Sequence, residues 1–223
     1  MKTTVLVLAL APVLYANTQY TYTSQNYSSF YNYSACNTGP CANFTSSMAM
    51  TLTFSVATAL APNLSSQQIV GQVTSFTASD GLTTFNSSDP NVRVWDFTVS
   101  TNATGHVTQS SIVLELWRSG TSPHSTSNRI DLAQIVPNPD VYYNTACESY
   151  GSGPAGMSDT CAIAQQDNAT GEATALSGTW SQSTSQSAIA APTLGEWGEI
   201  SLSFLLLLAA CWQLSRRTAA SRG

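Results

Sequence analysis

The chain has 223 residues, enough for one domain with a sizeable core but not for two full domains and terminal segments besides. Seven basic residues against twelve acidic ones, with a pI near 4.7, exclude an electrostatic partnership with nucleic acid, which needs clustered Lys and Arg. Charged residues make up only 9% of the chain and Ser with Thr roughly a quarter, so hydroxyls and amides must solvate the surface, as on an exported protein.

At the start of the chain Lys2 precedes the apolar run 3–16 (TTVLVLALAPVLYA), which Pro12 breaks shortly before the small residue Ala16; polar residues follow at once. This pattern predicts a cleavable signal peptide over 1–16 and export through the general secretion machinery. From 17 to about 180 the apolar period is two. Met48, Met50, Leu52, Phe54 and Val56 alternate with small or polar residues, predicting a half-buried strand. Strands over 72–78 and 82–85 flank Asp80-Gly81, a dipeptide suited to the positive φ of a hairpin turn. A second hairpin is predicted from 92–101 and 107–117. Within its first strand Trp95, Phe97 and Val99 fall on one face and Val92 and Val94 on the other, so that strand is either buried on both sides or carries a bulge. Further strands are expected at 20–23, 129–135, 141–143 and 173–180. About eight short strands between Gly, Pro, Asn and Ser turns predict an all-β exported domain over 17–180, an antiparallel β-sandwich or jelly roll.

Of five cysteines, Cys211 lies in the apolar C-terminal segment, which leaves Cys36, Cys41, Cys147 and Cys161, an even number suited to an oxidising compartment. Three pairings are open; the local one, Cys36 with Cys41 and Cys147 with Cys161, is preferred. A catalytic or cofactor motif is not read, and no metal site is expected: Gly-x-Ser-x-Gly and His-Glu-x-x-His are absent. His106 and His124 lie beside turn signals and read as solvated loop residues. Asp96, Glu115 and Asp131 are the carboxylates from which a glycosidase pair could be drawn across a sheet face. Asp167-Asn168 with Glu172 reads as a turn cap rather than a calcium loop. The aromatic stretch 20–33 reads as an edge strand and loop, with stacking on a sugar or partner surface as the other use. Seven Asn-x-Ser/Thr sites occur, at Asn26, Asn32, Asn43, Asn63, Asn86, Asn102 and Asn168, about half of which a Ser/Thr-rich chain supplies by chance.

Residues 181–190 (SQSTSQSAIA) predict a flexible linker. Beyond them stands Ala191-Pro192-Thr193-Leu194-Gly195-Glu196-Trp197-Gly198, then an apolar stretch over about 198–215 that predicts a single transmembrane helix, stopped by Arg216 and Arg217 on the inner side. Pro192, Thr193, Leu194, Glu196, Trp197 and Gly198 match the Ile-Pro-Thr-Leu-Ser-Glu-Trp-Gly pattern, and with the membrane segment and basic end the tail 191–223 resembles the IPTL-CTERM sorting domain of Gram-negative bacteria. The Tyr20-Thr21-Tyr22-Thr23 opening and the Ser79-Asp80-Gly81 turn are similar to β-rich exported domains that accompany such tails. The resemblance implies an exosortase-like enzyme as partner, processing the tail at the envelope, and no enzymatic activity in the chain. The function expected is therefore a surface-sorted bacterial envelope protein whose β-domain binds or builds, with an extracellular polysaccharide or envelope component as partner. The rivals are an exported polysaccharide hydrolase and a eukaryotic type I membrane glycoprotein.

Overall fold

One long strand, β1 (Ala16–Tyr31), is shared by two stretches of antiparallel sheet in the computed structural model of the protein. The residues described are 16–36, 41–126, 128–186 and 201–208. The expected signal peptide, apart from its last residue, the motif 191–198 and the pair Arg216 and Arg217 lie outside them. The remaining strands are β2 (Ala49–Val56), β3 (Gln67–Gln68), β4 (Val73–Ser79), β5 (Thr84–Asn86), β6 (Val92–Thr101), β7 (Val107–Trp117), β8 (Arg129–Ile135), β9 (Asp140–Gly151), β10 (Thr160–Gln165), β11 (Gly171–Ala175) and β12 (Thr179–Gln186). They follow the order β3-β6-β7-β8-β9-β11-β1-β2-β4-β5, with β10 beside β9 and β12 beside β1. The all-β, antiparallel class expected from the period-2 pattern is what the chain adopts.

The two halves of β1 serve different neighbours. Thr18 to Thr23 pair with β2 (Tyr20 opposite Phe54), whereas Tyr27 to Tyr31 pair with β11, and the register shifts between. This lets the path fold over on itself. Phe54 of β2 stacks on Tyr20 at 5.0 Å and meets Phe97 of β6 edge-on at 5.2 Å, while Phe76 of β4 lies 6.1 Å from the same Phe97 ring. Leu52, Ile112, Leu114, Ile135 and Val141 complete a core that excludes water. Buried tyrosines satisfy their hydroxyls: Tyr20 accepts from the Leu60 amide (3.0 Å) and Tyr27 donates to the Asp80 carbonyl (2.9 Å). In the β4–β5 connection Gly81 has φ +93°, and the Asp80 carboxylate accepts from the amides of Leu82 and Thr83.

Both expected hairpins form, and the β6–β7 pair has the predicted boundaries. The phase conflict in β6 resolves as a bulge: the register shifts between Val94 and Asp96, so Val92, Val94, Phe97 and Val99 are all buried. Residues 181–186, expected as linker, instead continue β12 beside β1. Trp180 anchors that strand against Tyr22 (5.1 Å) and Phe54 (5.8 Å), and a Ser/Thr-rich edge strand needs little more than its backbone pairing. Cys36 pairs with Cys41 and Cys147 with Cys161, the local arrangement, each with Cα atoms 5.7 Å apart.

Residues 16–185 form one unit; residues 201–208, in a second unit, are α-helical. Eight residues rise only about 12 Å, and among the described residues no helix is long and apolar enough to cross a membrane. The rest of the expected span lies outside the described residues.

We predict that Phe54→Ala costs about 3–5 kcal/mol of unfolding free energy, as for other large-to-small core changes, whereas Phe30→Ala, at a side chain 45% exposed, costs less than ~0.5 kcal/mol. Urea unfolding of both variants checks this; equal effects would contradict the assigned core.

Candidate functional site

The antiparallel register lines up two rows of side chains across the face of β6–β9 that points away from the core. The first row runs Arg93, Glu115, Leu132, Tyr142 and the second Asp96, Val113, Gln134, Asp140. The hairpin of β9 and β10 folds over this face. Trp117, Ile130, Leu132, Cys147 and Cys161 form a small second core beneath it. Where the cover is incomplete it leaves a cavity of about 220 Å³, lined by Trp95, Val113, Glu115, Leu132, Gln134, Tyr142 and residues of β10.

Trp95 reaches this cavity because of the bulge, which frees its carbonyl from the ladder to accept from the Ala155 amide (2.9 Å). Gly153 packs so closely that a Cβ there would stand 2.7 Å from the indole ring and 2.3 Å from the Trp95 carbonyl oxygen. Any side chain at 153 would displace the tryptophan. Tyr142 is held by its hydroxyl, which donates to Asp140 at 2.7 Å.

Glu115 is fully buried. Its Oε2 accepts from the Cys161 amide at 2.9 Å, and its Oε1 has no partner. Burial pushes its carboxyl up to about 8, against the lowering pull of the Cys161 amide and the Arg93 guanidinium, with the Asp159 charge adding to the rise. The acid is therefore largely neutral at pH 7, able to donate as well as accept.

The other expected acids do not join it. Asp131 pairs with Leu116 on the core side of the sheet, where it takes an ion pair from Arg118 (2.8 Å) and hydrogen bonds from Thr83 and Asn144. Asp96 turns its oxygens to Gln68, Thr98 and Ser111. Two carboxyls sequence reasoning did not single out are also perturbed by burial: Asp80, raised to about 7 despite the amides of Thr83 and Leu82, and Asp140, raised to about 6 despite the Tyr142 hydroxyl. Asp167 caps its turn through Ala169 and Thr170 and is paired with Arg129. Among the described residues no group of three or more His, Cys, Asp or Glu is placed to hold a metal ion.

His106 is exposed, as expected. His124 is not: it is 3% exposed, stacked on Trp117 at 4.3 Å and 2°, with Nδ1 2.8 Å from Asp159. The expectation of a solvated loop residue fails because the partner comes from the distant β9–β10 loop. Burial opposes ionisation of Asp159, but the amide and ring of His124, Ser122 and Arg93 together hold it down at about 2. An ionised carboxylate only accepts, so Nδ1 carries the proton; Nε2 is buried without a partner. This pair ties the segment around His124 to the β9–β10 loop, and the Cys147 and Cys161 sulfurs of the same hairpin are bonded to each other.

No family model matches the chain, and comparison with curated proteins and with solved structures finds no significant match.

We predict a stability maximum just below about pH 4. Glu115 rises from 4.5 unfolded to about 8 folded, so its contribution is present at low pH and lost as pH climbs through that window; Asp80, from 3.8 to about 7, acts the same way. Asp159, lowered from 3.8 to about 2, supplies the acid limb, its contribution lost as pH falls through that range. Thermal unfolding across pH should show the decline above the maximum flattened in Glu115→Gln. A wild-type melting temperature that climbs steadily from acid to alkaline pH would contradict the assignment.

Proposed function

We propose that this is an exported, surface-sorted bacterial envelope protein whose β-domain has a non-catalytic binding role and whose tail is processed by an exosortase-like enzyme. The observation that carries the reading is the pair of local disulfides, one of them inside the second core, in a domain whose surface is solvated by hydroxyls rather than charges. Such bridges persist where the surroundings are oxidising, which fits export. The apolar run at 3–16 and the motif Pro192-Thr193-Leu194-Gly195-Glu196-Trp197-Gly198 before an apolar segment and Arg216-Arg217 supply the route and the address.

The hydrolase alternative needs two cooperating carboxyls about 5–9.5 Å apart. The outer pocket offers Glu115 alone among its lining side chains; Asp96 on the same face is committed to three other donors, and Asp159, the acid whose charge reaches Glu115, is paired with Arg93 and His124. The glycoprotein alternative draws on the Asn-x-Ser/Thr sites, several of which do structural work. Asn32 exchanges two 2.9 Å hydrogen bonds with the Phe44 backbone through its amide nitrogen and oxygen, and Asn102 gathers the amides of Thr104 and His106 in the β6–β7 turn. A domain of this kind, sandwich-like in its packing, serves as a rigid platform held outside the membrane.

Replacing Pro192 and Trp197 with Ala in the full chain should leave export intact and block release, so that the protein accumulates in the inner membrane. Neutralising Arg216 and Arg217 should instead weaken the membrane stop. Fractionation with intact-mass analysis separates these outcomes, and a Pro192/Trp197 variant processed like the parent would overturn the sorting assignment.

A further inference from the structure

We propose that the pocket formed by Trp95, Glu115, Gln134 and Tyr142 is a binding site for one ring of a neutral, hydroxylated glycan. This rests on the reading of the domain as an exported binding module and names the site and ligand class for it. The first support is the polar floor. Glu115 lines the pocket and is buried, and its Oε1 has no hydrogen-bond partner in the protein. Buried polar atoms are paired in nearly all folded proteins, so an orphan lining a cavity points to something bound there.

The lining also selects the chemistry. It contains no Lys or Arg, and the one neighbouring cation, Arg93, is engaged by Asp159 and the Pro90 carbonyl, which leaves nothing to hold an anion. A cation would require Glu115 ionised, which its burial opposes, with Asp159 the other acid acting on it. A neutral carboxyl and the Gln134 amide each donate and accept, which is what a hydroxyl demands of its partner. Trp95 and Tyr142 add apolar surface for the C–H face of a sugar ring. A purely apolar ligand would leave Glu115 unsatisfied. The volume of about 220 Å³ lies below the ~300–1,000 Å³ of sites that enclose drug-sized molecules, so it suits a single ring of a chain that continues into solvent. Trp95 is already fixed by the bulge, Gly153 and Ala155, so little ordering remains to be done on binding.

The test uses the full chain in a detergent without sugar headgroups. It is titrated with the methyl glycosides of glucose, galactose and mannose, with glucuronate and glucosamine as charged controls, and followed by saturation-transfer NMR and indole fluorescence. At least one neutral glycoside should bind near pH 6. Glu115→Gln, which keeps a donor and an acceptor, should stay within about threefold of wild type, while Glu115→Ala and Trp95→Ala should lose about tenfold or more. Gln134→Leu, which leaves the bulge intact, should weaken binding too and serves if Trp95→Ala does not fold. Wild-type binding should fall as pH rises through 8, and binding to Glu115→Gln should not. The inference is overturned if no neutral glycoside binds, if the Ala variants bind like wild type, or if glucosamine is preferred and gains with pH. Sorting is read separately: a correctly processed protein that binds no glycoside defeats this inference alone, and a glycoside-binding protein whose tail variants are processed normally defeats the sorting assignment alone.

Discussion

The domain depends on β7 being buried on both faces. Ile112 and Leu114 point into the main core without exposure, and on the opposite face Glu115 is fully buried and Trp117 3% exposed. A central strand of this kind needs a second covering layer, because its outward residues cannot be left to water. The β9–β10 hairpin provides that layer and the Cys147–Cys161 bridge clamps it; Arg93 and His124 pin its loop through Asp159. The pocket is the place where this cover stops short. Its chemistry follows from the same constraint: a carboxyl under a protein lid loses water, and its proton becomes harder to remove.

Charge is used sparingly and locally. Arg93, Arg118 and Arg129 each contact a carboxylate, Asp159, Asp131 and Asp167 respectively. Arg118 also lies over the Tyr143 ring at 4.2 Å, and its partner Asp131 is the most enclosed carboxylate of the three, fully buried. Such a pair adds little net stability over an apolar one but makes loss of either partner costly, because the survivor is left as an unpaired buried charge. The described Arg side chains are thus all engaged within the fold.

Strand placement was largely legible from alternation, down to the boundaries of β6 and β7, and the bulge could be anticipated because Val92 and Val94 are out of phase with Phe97 and Val99. The local disulfides were readable from cysteine number and spacing. What was not legible has physical reasons. β10 carries small and polar residues (Thr160, Ala162, Ala164, Gln165) and is held by β9 and a bridge rather than by its own apolar pattern. β12 reads as linker because Ser and Thr dominate it, and only Trp180 betrays packing. His124 gives no local sign of burial, since its ring partner Trp117 and its acid Asp159 come from elsewhere in the chain. Of the pocket, Glu115 was visible as one acid among ten in the domain; Gln134 and Tyr142 acquire meaning only from cross-strand register, and the place of Trp95 followed only once the bulge, one of two readings open for its strand, was located between Val94 and Asp96.

A lone buried carboxyl under an aromatic-sided pocket carries a different implication from a pair. Two acids sharing a cleft split their proton affinities and divide the work of acid and base, which is the signature of hydrolysis. Here the register prevents that division: Asp131 is one residue out of phase with Leu132 and so lies on the other face, while Asp140 stands two strands from Glu115 and in the next row, its backbone more than about 10 Å away. Moving either acid into partnership would require a register slip that sends Leu132 and Ala133 to the wrong faces and dismantles both cores. The same pairing that builds the pocket thus leaves Glu115 as the one carboxyl among its described lining residues.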